Sequence, residues 1–463
     1  MDAFYQFLAD MADVLWSWPT IILLLGTHIL LTIRLRFPQR YIFKAIKMSV
    51  TPDKDSSGDV SQFRALATSL AATIGTGNIV GVGTAIALGG PGAVLWCWIT
   101  GILGIATKYS EGLLAVKYRV RTSDGTMLGG PMYALERGLN MKWLAVLFCV
   151  FTVLASYGIG CTVQSNAISN MMADSGIVFK DGIPTWINGL FLSFLVALVI
   201  IFGVKGIAKV CGVLVPFMAA FYVLGCILIL CFNAEYLGQA ISLICESAFS
   251  PEAAGGGFIG TSIMMTARYG IARGLFSNES GLGSAPIVAA AAQTKNPVRQ
   301  ALVSSTATFW DTVVVCAITG LVLVSSIIAH PDITYEDGGK LTTLAFSKIP
   351  YIGRFVLEVG LFTFAFSTIL GWSYYGERCA EYLFGKKILP YYKVVWVVMV
   401  FIGAVQSLTS IWCFADSANA LMAIPNLIAL IFLSGVIRRE TRKYLWKKGH
   451  LDDQSDDEIP LIK

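Results

Sequence analysis

Residues 69–84 read SLAATIGTGNIVGVGT and place a Gly-x-Gly-Asn run inside an apolar stretch long enough to cross a bilayer. Close helix packing by small residues is one explanation, but Gly75 and Gly77 face different sides of a helix and Asn78 adds a polar side chain. Irregular backbone at membrane depth is tolerated where it lines a cavity. The stretch therefore predicts a broken membrane helix with a binding site at the break.

The rest of the chain has the composition of a membrane protein. Of its 463 residues, 56% are hydrophobic and 14% are charged, and the mean hydropathy is +0.69. A span needs about 20 mostly apolar residues. We predict an all-α integral membrane protein with about eleven spans, at residues 12–36, 62–89, 92–117, 142–172, 184–203, 209–232, 256–291, 300–329, 354–384, 389–410 and 415–437.

Lys and Arg residues concentrate in alternate loops, and the loops between them are acidic or neutral. By the positive-inside rule, this pattern predicts an N-terminus outside and a C-terminus in the cytoplasm. Topology also accounts for the net charge of +5, so we expect no nucleic-acid partner. Residues 1–14 lack the basic start and cleavage site of a signal peptide, so we expect nothing to be removed.

The segment order predicts an inverted repeat. Setting aside the first span leaves ten spans, which divide into two sets of five. Because five is an odd number, the second set enters the membrane from the side opposite to the first, as an inverted repeat requires. A second break, FSNESGLGSAP at residues 276–286, lies where such a repeat requires one. We divide the chain into an extra N-terminal helix with a basic connector (1–50), two five-helix repeats (51–235 and 236–440) and a polar cytoplasmic tail (441–463). We expect the end of this tail, DDQSDDEIPLIK at residues 452–463, to be mobile.

The first break is a candidate anion site. Unwinding there exposes the amides of Thr76, Gly77 and Asn78. The positive end of the following half-helix lies behind them, and such an end favours a carboxylate.

A candidate cation site combines this break with FAFST at residues 364–368. The hydroxyls of Ser367 and Thr368 and the carbonyl of Phe364 join the carbonyls of Ala71 and Ile74. These five oxygens suit a hard monovalent cation. The alternative is that both hydroxyls simply bond to carbonyls one turn earlier.

Glu279 is an ionisable residue in the second break. Such a residue at membrane depth is by default a functional hypothesis. It is either a titrating group for proton coupling or a structural partner of Arg268 or Arg273 on the same segment, and the sequence leaves both readings open.

Further polar and aromatic residues are candidates for lining the same cavity. Trp372 follows Thr368 by four residues, on the same helix face, and would limit the substrate's size. Gln164 and Asn166 either line the cavity or bond to other helices. For Asp311, in TFWDTVV, we favour a buried helix contact over an ion path.

With these residues in place, the chain resembles the alanine/glycine:cation symporters, a family with the LeuT-type fold in the amino acid, polyamine and organocation transporter superfamily. The resemblance covers nearly the whole chain. It is carried by SLAATIGTGNIVGV, ALGGPGAVLWCWITGILGIATKYSEG, DGTMLGGPMY, RYGIARGLFSNESGLGSAPI and FAFSTILGWSYYGE.

The resemblance implies a carrier of small neutral amino acids, above all alanine and glycine, that is driven by sodium, or by protons in some members. It implies that the backbone of Gly75, Thr76 and Gly77 holds the substrate carboxylate beside Asn78. Phe276 would cap the substrate, and Trp372 and Gln164 would shape the side-chain pocket. The five-oxygen set corresponds to the sodium site most widely kept in this fold. Glu279 departs from the usual pattern, so only one cation is expected.

The sequence therefore predicts a sodium-coupled symporter. The alternative is a proton-coupled carrier or exchanger of the same amino acids, with Glu279 as the titrating group. An enzyme is not expected because no Ser/His, paired-Asp or His-Glu-x-x-His arrangement occurs. A channel and a sensor are less favoured. We expect no cofactor, Na⁺ as the coupling ion, a protein that functions as a monomer, and a bacterial or archaeal inner membrane as its location.

Overall fold

The structure is a computed structural model. It describes residues 6–462 except 8, 9, 12, 13, 52, 54, 55, 175–182, 251–262, 334–337, 407, 448 and 456. The first predicted span and the start of the seventh, at residue 256, therefore lie partly outside the described residues.

Helices dominate the described chain. Their bounds are α1 Trp18–Arg34, α2 Ile42–Ser49, α3 Gln62–Thr73, α4 Val82–Gly89, α5 Ala93–Lys117, α6 Pro131–Tyr133, α7 Lys142–Ala155, α8 Val163–Asp174, α9 Thr185–Ile200, α10 Gly203–Phe232, α11 Ala234–Ser247, α12 Ile263–Asn278, α13 Pro286–Ala289, α14 Pro297–Thr308, α15 Ala317–Ala329, α16 Gly338–Ser347, α17 Ile352–Phe384, α18 Leu389–Val405, α19 Leu408–Phe432 and α20 Ser434–Thr441.

Three short strands form one small sheet in the order β2-β1-β3. They are β1 Val120–Thr122, β2 Met127–Leu128 and β3 Leu461–Ile462. The first two pair antiparallel, and β3, from the end of the chain, pairs parallel to β1.

Among the described residues, six helices are long and apolar enough to cross a membrane, and two bent helix pairs also qualify if each is one span. This is fewer than the eleven predicted spans. The predicted segment 92–117 is helical as α5, but it contains Lys108 and Glu111. The predicted segment 184–203 forms the shorter apolar helix α9. The described helices that are long and apolar enough to span a membrane therefore do not match all eleven predicted segments one to one.

Several predicted boundaries are wrong. The segment expected to begin at 209 begins at Gly203 as α10. The sequence predicts a connection between the last two spans at residues 411–414, whereas α18 ends at Val405 and α19 begins at Leu408. The amphipathic helices α11 and α16, whose buried faces include Ile244 and Leu341, occupy stretches between the predicted spans.

The first break is present where the sequence predicts it. Helix α3 ends at Thr73 with Ile74 in an extended conformation. A wide π turn at Gly77–Gly81 leads into α4, and the two half-helices are bent by 53°.

The second break begins later than predicted. Helix α12 continues to Asn278, so Phe276 belongs to its last turn and not to the irregular segment. Glu279, Gly281 and Gly283 have positive φ angles of 53°, 93° and 88°. This left-handed backbone cannot continue a right-handed helix. After it, α13 is only four residues long.

Two more wide turns interrupt long helices beside the breaks. Ser156–Thr162 joins α7 to α8, and Phe309–Cys316 joins α14 to α15. Such turns release backbone groups and redirect side chains, and they are frequent at functional sites. Helix α17 packs against α3, α7, α8 and α10, and α5 packs against α12 and α14. Both breaks are thereby enclosed by helices.

The C-terminal residues are docked on the protein, so the prediction of a mobile tail is wrong for the described part. Asn296 Nδ2 donates to the carbonyls of Leu451 and Asp453. Lys117 Nζ lies 2.7 Å from Asp457 Oδ2. The charged composition of the tail predicts disorder, but tail carboxylates such as Asp457 have basic partners on the helical body.

Candidate functional site

At the first break, side chains take up two backbone amides, so the prediction that the Thr76 amide is exposed there is wrong. Asn78 Oδ1 accepts from the Gly75 amide at 2.9 Å, and Gln164 Oε1 accepts from the Thr76 amide at 3.2 Å. The Gln164 side chain is oriented by its own Nε2, which donates to the Ile159 carbonyl in the wide turn between α7 and α8 at 2.9 Å. Gln164 is therefore brought to the break, as the sequence predicts.

Its neighbour in sequence, Asn166, is not part of the site. Asn166 Nδ2 donates to the carbonyls of Gly403 and Gln406. The sequence leaves two interpretations of Asn166 open, and the structure confirms the one in which its side chain bonds to another helix.

Asp311 joins the two breaks. Its Oδ1 accepts from Asn78 Nδ2 at 2.7 Å, and its Oδ2 accepts from Ser277 Oγ at 3.0 Å and from Thr312 Oγ1 at 2.7 Å. The residue is fully buried. A buried carboxylate needs such hydrogen bonds, and here they tie the first broken helix to the end of α12.

The five oxygens of the predicted cation site converge. Thr368 Oγ1 lies 3.1 Å from the Ala71 carbonyl oxygen, 3.2 Å from that of Ile74 and 3.0 Å from that of Phe364. Ser367 Oγ lies 3.1 Å from the Ala71 oxygen and 2.8 Å from the Phe364 oxygen. None of these residues is more than 2% exposed.

This set contains more acceptors than its protons can satisfy. A hydroxyl carries one proton, so Thr368 cannot donate to three carbonyls at once. The two hydroxyls also bond across to α3, not only to the carbonyl one turn earlier. Buried oxygens in such excess are suitable ligands for a hard cation.

Two aromatic residues lie against glycines of the opposite helices. A side-chain carbon on Gly77 would lie 3.2 Å from the Phe276 ring, so the missing side chain lets Phe276 approach the first break. Trp372 is completely buried and packs closely against Gly160. The structure thus places both predicted pocket aromatics around the broken helices.

The two oxygens of Glu279 are held by neighbouring side chains. Oε1 accepts from Trp372 Nε1 at 2.9 Å, and Oε2 accepts from Ser284 Oγ. The Arg273 guanidinium lies 5.7 Å from the centre of the Phe276 ring, one helical turn before the break. An ion pair between Glu279 and Arg273 stays a prediction.

Sequence reasoning missed two charged residues of α5 that contact the second break. Lys108 Nζ donates to the Asn278 carbonyl at 2.9 Å. Glu111 Oε1 accepts from the amides of Gly281 and Gly283 at 3.0 and 3.1 Å and from Asn426 Nδ2 at 2.7 Å. The signal was available: two charges three positions apart on one face of an apolar helix.

Comparisons with known proteins identify the family of this chain. The model of the "Sodium:alanine symporter family" matches residues 1–458. An uncharacterised transporter of Haemophilus influenzae is 49% identical over 457 residues, with 98% of each chain covered. The sodium/alanine symporter AgcS of Methanococcus maripaludis is 48% identical over 437 residues, covering 93% of this chain and 94% of the relative.

A solved structure gives the fold. The crystal structure of MhsT in complex with L-phenylalanine aligns with a TM-score of 0.56 at 14% identity, covering 87% of this chain and 94% of MhsT. At that identity the likeness concerns the fold alone, and it confirms the predicted all-α, LeuT-type architecture.

These findings also settle the class of protein. Helices long and apolar enough to cross a membrane and the family match make it a multi-pass membrane transporter and not an enzyme. The chain belongs to the sodium:alanine symporter family, and it is a sodium-coupled amino-acid symporter.

Proposed function

We propose that this symporter imports small neutral amino acids, alanine and glycine, by alternating access, with one sodium ion bound by Ala71, Ile74, Phe364, Ser367 and Thr368. The substrate site comprises Gly75, Thr76, Gly77, Asn78, Gln164, Phe276 and Trp372. The relative from Methanococcus maripaludis is named for sodium and alanine, which supports sodium as the ion and alanine as a substrate.

The observation that carries the proposal is how close the two sets lie along the chain. The Ile74 carbonyl belongs to the oxygen set through Thr368, and the Thr76 amide, two residues later, contacts Gln164. An ion drawn to the Ile74 carbonyl fixes the direction of the next peptide groups, which would receive the substrate carboxylate. Ion and substrate then increase each other's affinity by the same factor.

The substrate's size follows from the aromatic residues. Trp372 packs on Gly160 and Phe276 on Gly77, and we infer that the two rings exclude substrate side chains larger than a methyl group. Glycine lacks only the methyl contact of alanine, which is about 1 kcal/mol. Both amino acids are therefore substrates, and alanine binds more tightly.

Transport uses the two broken helices. We propose that residues 51–235 and 236–440 form the two inverted repeats, that the N-terminus is outside and the C-terminus is cytoplasmic, and that a single chain is functional. The breaks and their linked partners rock against the remaining helices to expose the site inward. The membrane is the bacterial or archaeal inner membrane.

The test is alanine uptake into liposomes that contain the purified protein. An inward sodium gradient is compared with an equal choline gradient at matched pH. We expect uptake with sodium only, and loss of uptake in the double variant Ser367→Ala/Thr368→Val. The matched control, Thr363→Val/Ser373→Ala, removes two hydroxyls of the same helix that bond only within it, and it should retain uptake.

The alternative is a proton-coupled carrier with Glu279 as the titrating group. Equal uptake in choline that follows an imposed proton gradient, and that is lost in Glu279→Gln, would replace the sodium proposal with this one. Uptake that is electrically silent and unaffected by either gradient would contradict both.

A further inference from the structure

A cleft of about 740 Å³ lies between the end of α1 and the C-terminal helices. Its walls carry five cationic side chains and one tryptophan: Arg36, Arg438, Arg439, Arg442, Lys447 and Trp446. This volume is within the range of small-molecule sites. The amino-acid site does not use any of these residues.

The arginines of this basic cleft have no carboxylate partner among the described residues. No described acidic group lies within 4.0 Å of Arg36, Arg438, Arg439 or Arg442, whereas Glu440, on the same helix, bonds to Lys117 at 3.0 Å. Cations at a helix C-terminus are favoured by the helix dipole, which accounts for Arg438 and Arg439 in the last turn of α20. It does not account for Arg36, which comes from α1's end.

Arg36 is placed in the cleft by unusual backbone geometry. Arg36 and Phe37 both have φ of 57°, a left-handed conformation that costs energy in residues other than glycine. The Arg36 guanidinium lies 4.5 Å from the Trp446 ring centre. Trp446 Nε1 is itself buried and has no hydrogen-bond acceptor among the described residues. Several cations without a carboxylate partner among the described residues therefore line one space.

The position of the cleft indicates which class of anionic ligand it suits. It lies where α1 ends and where α19 gives way to α20, at the ends of membrane spans. Phe37 is 60% exposed and Phe432, the last residue of α19, is 68% exposed. Exposed apolar rings beside a cationic cleft suit a ligand with both a phosphate and acyl chains. Basic pockets at such positions bind anionic headgroups.

We propose that the basic cleft is a binding site for the phosphate headgroup of an anionic phospholipid. The arginines bind the phosphate oxygens through charged hydrogen bonds, and the Trp446 ring packs against the Arg36 guanidinium. The acyl chains lie along the surface that exposes Phe37 and Phe432. This proposal does not depend on which amino acid or ion is transported.

The test is native mass spectrometry of the full chain titrated with phosphatidylglycerol, and with phosphatidylcholine of the same acyl chains. We expect a clear preference for phosphatidylglycerol. The variant Arg438→Gln/Arg442→Gln should weaken its binding about 25-fold, since each basic residue near an anionic surface contributes about fivefold. The control Lys205→Gln/Lys209→Gln removes the same charge outside the cleft and should bind as the original chain does.

Two further measurements keep the result unambiguous. Arg36→Gln removes the one cleft cation that comes from the end of α1, and it should bind phosphatidylglycerol about fivefold more weakly. Inorganic phosphate at millimolar concentration should not displace the lipid. Unchanged lipid binding in both cleft variants, or no preference over phosphatidylcholine, would overturn the proposal. Displacement by phosphate at millimolar or lower concentration would overturn the lipid as the ligand and leave a free phosphate.

Discussion

At the scale of single residues, Thr368 contacts more of the cation set than Ser367 does. Its hydroxyl lies within 3.2 Å of three carbonyl oxygens on two helices. We predict that Thr368→Val, which keeps the shape but removes the oxygen, raises the sodium concentration for half-maximal uptake at least about tenfold, as losses around metal ligands typically do.

The matched control is Thr363→Val on the same helix. Thr363 Oγ1 donates only to carbonyls one turn earlier, those of Val359 and Gly360, so its removal should leave the sodium dependence unchanged. Equal sodium dependence in the two variants would show that Thr368 is not a cation ligand.

Trp372 and Trp396 form a natural pair for a second prediction. Both are completely buried, but Trp372 Nε1 donates to Glu279, whereas Trp396 Nε1 has no acceptor among the described residues. Replacing either by Phe removes similar volume. Only Trp372→Phe leaves a buried carboxylate oxygen without its donor, which costs about 1–3 kcal/mol.

We therefore expect Trp372→Phe to lower the melting temperature in detergent more than Trp396→Phe does. Identical losses would mean that the bond to Glu279 contributes nothing net, and that Trp372 matters to stability through packing alone.

At the scale of elements, the second break depends on α5. Gly281 and Gly283 both donate their amides to one oxygen of Glu111, and Asn426 donates to the same oxygen. We predict that Glu111→Ala, which leaves these buried donors unpaired, destabilises the protein by about 3 kcal/mol or more. Glu111→Gln retains an oxygen acceptor and should lose less.

Hydrogen–deuterium exchange over residues 279–285 is the measurement for this prediction. Faster exchange in Glu111→Ala, largely restored in Glu111→Gln, is the expected pattern. If the two variants exchange alike, the break is held by its own backbone geometry and not by α5.

The two breaks also show what sequence reasoning reaches. The first is local: its glycines and Asn78 are adjacent in the chain, and the hydroxyl pair that faces it is one short motif. The second break begins later than predicted, because the spacing of its glycines does not show how far the preceding helix, α12, continues. The contact with Glu111 joins residues 170 positions apart, and only the packing of α5 against α12 brings them together.

At the scale of the whole molecule, the C-terminal tail packs against the helical body. Strand β3 pairs with β1, the Ser455 amide donates to the Lys295 carbonyl, and Arg299 pairs with Asp53 and Asp452. Composition predicted mobility for this tail because charged, polar segments cannot bury enough apolar surface to fold alone. The helical body supplies partners that composition does not reveal.

The docking of the tail should depend on pH through Asp457. Burial by itself raises the pKa of this carboxyl, but hydrogen bonds from Lys117 and Ser455 outweigh burial and hold the pKa below its ordinary value. A lowered pKa means that the carboxylate stabilises docking at pH above about 4. That contribution is lost as the pH falls through the lower pKa of the docked state.

We predict that Asp457→Asn loosens the tail at neutral pH, because Lys117 then loses one charged partner and keeps Glu440 as its single ion-pair partner among the described residues. The readout is the protection factor of the amides in β1 and β3, which corrects for the intrinsic effect of pH on exchange. Protection in Asp457→Asn should be several-fold lower at pH 7 and nearly independent of pH between 3 and 7. The neighbouring Glu458, which is exposed and has no ion pair with a described residue, gives the control: Glu458→Gln should retain the original protection and its loss in acid. If both variants behave alike, strand pairing alone docks the tail and Asp457 is not its pH-sensitive contact.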